Sequence, residues 1–313
     1  MQDELPGLID QFLEYLEIEK NCSKLTIRDY KHYLEVFNNW FTSTQPSKTI
    51  ENLDLPTIRK YRVFLANRVD KKGLTLKRVT QNYYVIALRS FLRFLIKNDF
   101  KTLEPSKIDL PKTESRSLKF LEKDQVDRLV TSADTSKEEG IRDRTIMELL
   151  FSTGLRVSEL VKLNHEQLNL DRREFGVIGK GGRGRLVFIS DRAADWIKRY
   201  LDARGDNFKP LFIRYSGRVI EEDGGERMRL TARSVERLVK KYVQKARIPV
   251  DATVHTFRHS FATDLLTNGA DIRSVQEMLG HKNIATTQIY THITNKQLRD
   301  IHKSFHSGNN GSK

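Results

Sequence analysis

The sequence predicts a mainly α-helical protein of two domains, with one small β-hairpin in the second domain. Apolar residues recur at helical spacing along most of the chain, and only residues 174–189 change to strand-like runs. A segment around residue 110 has the proline and polar residues of a linker. The length of 313 residues also exceeds one ordinary helical domain and suits two.

Four amphipathic helices are predicted before about residue 100, so residues 1–104 are assigned to the first domain. Ser23 lies near the start of the second helix, and Pro56 suits the first turn of the third. The aromatic residues fall at core spacing and are interpreted as packing rather than as platforms for bases. The apolar stripes are Leu8, Phe12, Leu13 and Leu16; Ile27, Tyr30, Leu34, Phe37 and Phe41; Ile58, Tyr61, Leu65 and Val69; and Tyr83, Ala87, Phe91, Phe94 and Leu95.

Residues 105–117 are predicted to be a linker because they combine prolines, polar residues and little periodicity. The second domain is then assigned to residues 118–306, with a Gly/Asn/Ser end at residues 307–313 that is expected to be disordered. Its first helices are expected at residues 121–130 and 141–151.

A β-hairpin is predicted next, because two strand-like runs flank the glycine-rich tip GKGGRGR at residues 179–185. The tip is not a P-loop, since the required spacing of glycine, lysine and hydroxyl residue is absent. Glycines permit close approach, so the tip can deliver Lys180 into a groove, although a lysine on a hairpin is ordinarily solvated.

The formal net charge of +14 is spread over the chain, which favours a broad surface that binds a polyanion. A basic surface without any partner stays open at this point. Hydrophobic residues make up 38% of the chain, enough for packed cores, so general disorder is not expected. The single cysteine, Cys22, excludes a disulfide framework and a zinc cluster of thiolates. The amino terminus lacks a signal-peptide pattern and no apolar run reaches ~18 residues, so a cytoplasmic location is expected.

Two short helices are predicted between residues 255 and 280. Gly269 is placed to end the first in a left-handed cap, and Asp271 to cap the second, which stops at Gly280. Their apolar positions are Phe261, Leu265, Leu266, Ile272, Val275, Met278 and Leu279.

Four polar residues stand at the edges of these helices: His255, Arg258, His281 and Tyr290. An arginine fork can hold two phosphate oxygens, imidazoles can donate or accept protons, and a tyrosine hydroxyl can be a nucleophile. Together they suit the attack of a phenol on a phosphodiester. Each residue alone also fits a structural role, but their order and spacing are far more restrictive.

A second motif, GLRVSEL at residues 154–160, places Arg156 just past a glycine that can stop the preceding helix. Glu159 follows three positions on, so it can share a helical face with Arg156 or brace a nearby imidazole. Alone, this motif is also explained by a capped helix with a surface ion pair.

These motifs together resemble the tyrosine recombinases of the phage integrase family, across essentially the whole chain. The segments GLRVSEL, HTFRHSFAT, LGH and IYTH carry the resemblance. The length, two-domain layout and short tail look most like the Xer-type recombinases. One departure is the segment 213–234, which is longer and more charged than the usual connection and is expected to form a loop or hairpin of its own. The matching residues, in order, are Arg156, Lys180, His255, Arg258, His281 and Tyr290.

The resemblance implies a SAM-like, core-binding domain at residues 1–104 and a mixed α/β catalytic domain with a tail helix. It also implies a transesterification that needs no metal, ATP or other cofactor. Tyr290 would attack a DNA phosphate, form a 3′-phosphotyrosyl bond and free a 5′-hydroxyl. Arg156 and Arg258 would bind the non-bridging oxygens, and Lys180 would protonate the leaving oxygen.

Three further roles follow from the same resemblance. His255 would assist proton removal from Tyr290 or steady the phosphate, His281 would donate to a phosphate oxygen, and Glu159 would orient the cluster.

Basic residues in both domains are expected to contact the duplex backbone. These are Lys24, Arg28, Lys31, Lys77, Arg78, Arg183 and Arg185.

The expected partners are a double-stranded recombination site and a second recombinase, either a copy of this chain or a paralogue, in a synaptic tetramer. An activating DNA translocase is a further expected partner, and the expected role is resolution of chromosome or plasmid dimers. A mobile-element integrase, a type IB topoisomerase and a catalytically silent DNA-binding relative remain alternatives. A defined recombination site, a need for a second protomer and a covalent adduct distinguish them.

Overall fold

The computed structural model describes residues 4–69, 73–111, 119–179, 182, 184–219 and 222–280, and the chain divides into two compact units, residues 1–116 and 117–313. The described residues are mostly helical and contain one two-stranded sheet, so the predicted fold class is confirmed. The elements are α1 (Glu4–Ile18), α2 (Lys24–Thr44), α3 (Leu55–Asn67), α4 (Arg78–Lys97), α5 (Lys123–Thr131), α6 (Glu138–Thr153), α7 (Val157–Leu160), β1 (Glu174–Ile178), β2 (Gly184–Phe188), α8 (Asp191–Ala203), α9 (Ala232–Lys245), α10 (Val254–Thr267) and α11 (Ile272–Leu279). No helix within these described ranges combines the length and apolar character that crossing a bilayer requires.

The four helices of the amino-terminal unit pack around an aromatic core. Phe12 of α1 lies against two rings of α4, with centroid distances of 5.6 Å to Phe91 and 5.4 Å to Phe94. Phe37 of α2 meets the ring of Tyr61 of α3 edge-on at 5.1 Å. These contacts bury the aromatic side chains between helices, so the interpretation of these residues as packing is confirmed.

Helix starts in this unit follow the predicted signals. The Ser23 hydroxyl accepts a hydrogen bond from the backbone N–H of Thr26 at 3.2 Å, which caps α2. Pro56 lies in the first turn of α3, where its missing N–H costs nothing because that group has no partner within the helix.

Two positions of the predicted apolar stripes are wrong. Tyr83 is 51% exposed, whereas its neighbour Tyr84 is buried, with its ring 4.6 Å from that of Tyr33 and its hydroxyl 3.1 Å from Nε2 of His32. Val69 is 55% exposed because α3 ends at Asn67, before the stripe can continue. Both errors arise at the edge of a stripe, where one residue of rotation or one extra turn decides burial.

The first part of the predicted linker belongs to the amino-terminal unit. Residues 105–107 form a 3₁₀ turn, and Ile108 is buried in the core of that unit. Arg62 of α3 also donates to the carbonyl of Asp109. Residues 105–111 therefore pack on the first domain, and residues 112–118 lie outside the described part of the chain.

Helix α6 forms the centre of the second unit. It is buried on nearly every face, and its apolar residues Ile146, Met147, Leu149 and Leu150 are fully enclosed. It packs against α8 and α10 and ends at Gly154, which adopts the left-handed conformation with φ of 59°. A buried helix of this kind fixes the position of the residues that follow it, including Arg156.

The predicted hairpin is present, with β1 and β2 antiparallel and Val177 paired with Arg185. Side chains alternate across it, so Phe175, Val177 and Val187 are buried on the inner face. Arg185 shares that inner face, since residues two apart in a strand point the same way.

Within the charged segment predicted at residues 213–234, Ile213 to Arg229 fold back on themselves as expected of a hairpin, whereas the last three residues, 232–234, already belong to α9. Ile213 bridges Arg229 in an antiparallel pair, and the N–H of Arg214 donates to the carbonyl of Met228 at 2.8 Å. The Arg229 guanidinium also donates to the carbonyls of Val161 (2.9 Å) and Leu163 (3.0 Å), which fixes the excursion to its own domain.

Candidate active site

Arg156 is presented at the junction between α6 and α7. Gly154 turns the chain out of α6, and an added Cβ there would lie 2.6 Å from the Phe261 ring, so a glycine is needed for both space and backbone conformation. Arg156 then precedes the first residue of α7, and its side chain is 28% exposed. The guanidinium is therefore held near the surface at the end of a rigid helix.

Glu159 holds Arg156 in place. One carboxylate oxygen accepts the backbone N–H of Arg156 at 2.9 Å, and the other accepts its Nη1 at 2.8 Å. Of the two predicted roles for Glu159, the structure shows contact with Arg156; the described residues show no imidazole against it.

The Glu159 carboxylate is only 5% exposed, and it also receives two hydrogen bonds from Arg185, at 2.9 Å and 2.8 Å. Burial acts to raise the pKa of Glu159, but the hydrogen bonds from Arg185 and from the Arg156 backbone outweigh it and lower the pKa to about 2. Glu159 is therefore ionised at neutral pH.

Arg185 does not lie where the predicted DNA contact places it. Its side chain is 11% exposed, and all three of its nitrogens are used within the domain: Nη1 and Nη2 on Glu159, and Nε on the carbonyl of Met278 at 3.0 Å. The inner face of β2 directs Arg185 towards Glu159, so the structure favours an internal role for Arg185 over the predicted contact with the duplex backbone.

Arg258 joins two helix ends. It lies buried in α10, where Nη1 donates to the carbonyl of Gly154 at 2.7 Å and Nη2 donates to the carbonyl of Leu279. Gly154 ends α6 just before Arg156, and Leu279 ends α11 just before His281 in the sequence. One guanidinium thus brings together the segments that carry three of the predicted motifs.

His255 lies one turn before Arg258 in α10, and its side chain is exposed. Desolvation by its neighbours lowers the pKa of His255, and the positive charges of Arg258 and Arg156 lower it further. His255 also lines a cleft of about 580 Å³ together with Val157 and the α9 side chains Arg233 and Arg237. The imidazole is thus neutral at pH 7 and faces a cleft of mixed charge, in which Glu236 and Asp251 lie beside the basic side chains.

His259 is a further imidazole of this region to which the sequence motifs assign no role. It lies one turn beyond His255 on α10, and burial, His255 and Arg258 all lower its pKa. The available signal was its spacing of four residues from His255, which places both imidazoles on one face of the helix.

Three of the predicted catalytic residues lie outside the described part of the chain: Lys180, His281 and Tyr290, and so does the predicted DNA contact Arg183. The structure describes their flanks. β1 ends at Ile178 just before Lys180, and α11 ends at Gly280, whose φ of 63° gives the predicted left-handed cap.

The remaining predicted DNA contacts are on helices of the amino-terminal unit. Arg28 and Lys31 are exposed on α2 beside Asp29 (2.8 Å) and Glu35 (4.0 Å). Such surface pairs contribute little. Lys24 begins α2, Lys77 precedes α4 and Arg78 begins it, all three exposed. Their contact with DNA stays a prediction.

Comparison with known proteins identifies the family of the chain. The Phage integrase family matches residues 119–297, and the SAM-like amino-terminal domain of phage integrases matches residues 9–99. Tyrosine recombinase XerD of Lacticaseibacillus casei is 37% identical over 307 residues, which covers 96% of this chain and 98% of that protein.

Solved structures share the fold. XerH site-specific recombinase bound to palindromic difH substrate superposes with a TM-score of 0.70 at 21% identity, covering 97% of this chain and 84% of that one. The Tn1549 transposon integrase also gives 0.70, at 16% identity, covering 94% and 99%. Given the family matches and the XerD identity, the chain belongs to the phage integrase family of tyrosine recombinases and is a site-specific DNA recombinase most similar to the Xer type.

Proposed function

We propose that this recombinase cuts and rejoins duplex DNA through a 3′-phosphotyrosyl bond to Tyr290, without metal or ATP. The observation that carries the proposal is the position of Arg258, which hydrogen-bonds to the carbonyls of Gly154 and Leu279, two residues before Arg156 and His281 in the sequence. This contact assembles a cationic centre from segments more than a hundred residues apart. The charges of Arg156 and Arg258 both lower the pKa of His255, so the two guanidinium groups lie near one imidazole, and such a pair suits the two non-bridging oxygens of a phosphate.

The proposed chemistry balances within the site. The Tyr290 hydroxyl loses its proton as its oxygen bonds to phosphorus, and the bond to the 5′ oxygen breaks. His255 takes that proton, and Lys180 donates one to the leaving 5′ oxygen. Free tyrosine has a pKa near ~10, so the reaction at neutral pH needs a base or a cationic environment. In this proposal Arg156 and Arg258, whose charges act on His255, supply the cationic environment.

An adduct assay on a nicked duplex tests the proposal. The nick lets the short cleaved fragment diffuse away, so the covalent intermediate accumulates. We expect the adduct to form at an undiminished rate in excess chelator and without nucleotide, because charge stabilisation comes from arginines rather than from a metal. The measurement is the fraction of DNA that migrates with denatured protein. An adduct that requires a divalent ion would contradict the metal-free part of the proposal.

The pH dependence of cleavage tests the role of His255. Its pKa is lowered in the folded protein, so the imidazole stays neutral until the pH falls below the ordinary value of ~6.5. With protein in excess over DNA, the cleavage rate is therefore expected to fall with decreasing pH only below pH ~6.5. The His255→Asn variant should cleave slowly, and its rate should not show this fall at acid pH. An acid limb at or above ~6.5 would remove His255 as the base.

Chromosome or plasmid dimer resolution is the proposed role, supported by the near full-length similarity to XerD proteins. The transposon integrase shares only the fold, so it does not favour the mobile-element alternative. Footprinting on the host chromosome distinguishes the two roles: a site confined to a mobile element would favour integration.

The proposal extends to the partners. Membership of the tyrosine recombinases supports a double-stranded recombination site as the partner of this chain, and XerH, which shares the fold, is bound to its difH substrate. A synaptic tetramer of this chain, alone or with a paralogue, and an activating translocase complete the proposal. Sedimentation with paired sites tests the tetramer, and a complex that never exceeds one protomer on each site would exclude it.

A further inference from the structure

Among the described arginines of the candidate site, Arg258 is the most enclosed, Arg185 follows and Arg156 is the most exposed. Arg185 leaves β2 on the inner face of the hairpin, and its three nitrogens contact Glu159 and the carbonyl of Met278. A two-pronged contact to both oxygens of one carboxylate holds the planes of the two groups together. Arg185 therefore determines where the Glu159 carboxylate lies.

The charges of Arg156, Glu159 and Arg185 do not cancel. Two guanidinium groups, of Arg156 and Arg185, share the single carboxylate of Glu159, so the group keeps one net positive charge. The Arg185 guanidinium is enclosed, whereas that of Arg156 is 28% exposed. The surplus charge is thus presented through Arg156, at the surface.

Loss of Arg185 would change this balance. Glu159 is buried, and a buried carboxylate without its main partner either binds its remaining cation more closely or takes up a proton. With Arg156 as the remaining cation, the pair would become neutral. Arg156 now contacts Glu159 through Nη1; without Arg185, a second nitrogen of Arg156 would also bind the carboxylate. Fewer N–H groups of Arg156 would then face a phosphate.

We infer that Arg185 is a positioning residue for strand transfer: it neutralises Glu159 and so leaves the charge and N–H groups of Arg156 to the scissile phosphate. This inference rests on the proposed function, in which Arg156 binds that phosphate. Arg185 itself does not touch the DNA. Its effect passes through Glu159.

A second contact extends the effect to α11. The Nε of Arg185 and the Nη2 of Arg258 donate to consecutive carbonyls, those of Met278 and Leu279, at the end of this helix. Cations at a helix C-terminus satisfy carbonyls that have no partner within the helix. A Cβ at Gly280 would lie 3.1 Å from Cδ of Arg185, so glycine there makes room for this approach. The hairpin and the end of α11 are thereby fixed to one another.

The test uses full-length protein and single-turnover cleavage of a nicked duplex at saturating protein. Arg185→Met keeps much of the length but removes the charge, and we expect cleavage to slow by about 10²-fold, the usual cost of one lost donor to a phosphate or oxyanion. Arg185→Lys keeps the charge and should stay within about tenfold of the natural protein. Arg172→Met removes an exposed arginine beside the hairpin and serves as the matched control, with cleavage unchanged.

Two readouts separate a charge effect from a structural one. Adding Glu159→Gln to Arg185→Met restores one net positive charge, so the double variant should cleave at least about tenfold faster than Arg185→Met alone. A methylphosphonate at the scissile position has no charge, so the loss in Arg185→Met should shrink to less than about tenfold on that substrate. If Arg185→Met does not fold, the double variant, which buries no unpaired carboxylate, carries the test.

The outcomes are distinct. Arg185→Met cleaving as fast as the natural protein would overturn the inference, and so would an equal loss on both substrates with no recovery in the double variant. A natural protein that forms no adduct would instead refute the proposed function, before any variant is considered.

Discussion

Replacement of Tyr290 by phenylalanine is expected to abolish the covalent protein–DNA adduct while duplex binding survives. The change removes one oxygen, which is the atom that would bond to phosphorus, so cleavage should fall by a factor on the order of 10⁴ or more. Binding should persist because the proposed phosphate contacts come from arginines such as Arg156, not from the phenol. The measurement is adduct yield on a nicked duplex, together with the affinity of the same protein for an intact one.

Tyr15→Phe provides the matched control for this prediction. Tyr15 lies in α1 of the amino-terminal unit, against the ring of Phe94, and loses the same single oxygen. Its adduct yield should equal that of the natural protein. An adduct of undiminished yield from Tyr290→Phe would refute Tyr290 as the nucleophile, and the hydroxyl that replaces it would then have to be mapped by peptide sequencing of the adduct.

The helices of this chain are largely predictable because their signals are local. Ser23 and Asp271 each precede an amphipathic stripe, and both accept backbone N–H groups as helix caps. Gly154 and Gly280 take positive φ at helix ends, as their positions predict. The apolar stripe, the capping residue and the terminating glycine of a helix all lie within that helix or next to it. Predicting such a helix therefore needs no tertiary information.

Burial at stripe edges is less predictable. Tyr83 and Tyr84 differ by one residue, which is about 100° around a helix, and either could border the apolar face of α4. Tyr84 is buried because Tyr33 and His32 of α2 meet it. That choice depends on a neighbouring helix, which the pattern of α4 alone does not contain.

The contacts of the candidate site are likewise of two kinds: those that local spacing predicts and those that depend on the tertiary structure. Arg156 and Glu159 are three residues apart, and their contact follows from helical spacing. The contact between Arg185 and Glu159 joins a strand to a helix 26 residues away, so no local pattern predicts it. One signal did exist: Arg185 shares the inner face of the hairpin with Val187, and an arginine on a buried face requires an internal acceptor.

Replacement of Lys180 by alanine is expected to slow cleavage of ordinary DNA by about 10³-fold, a typical loss when a general acid is removed. The 5′ alkoxide is a poor leaving group unless it gains a proton as the phosphorus–oxygen bond breaks. Lys180 follows the end of β1 by two residues in the sequence, and the proposed mechanism assigns it the role of proton donor. The measurement is single-turnover cleavage with protein in excess, compared with the exposed Lys198→Ala on α8 as a control that should cleave normally.

A substrate with sulfur at the bridging 5′ position separates the acid role from positioning. A thiolate leaves with far less need of a proton, since thiols have a pKa near ~8.5 and alcohols are much weaker acids. Lys180→Ala should therefore recover most of its loss on the sulfur substrate, whereas Tyr290→Phe should recover none because its nucleophile is missing. An equal loss for Lys180→Ala on both substrates would mean that the lysine positions the phosphate and that another group donates the proton.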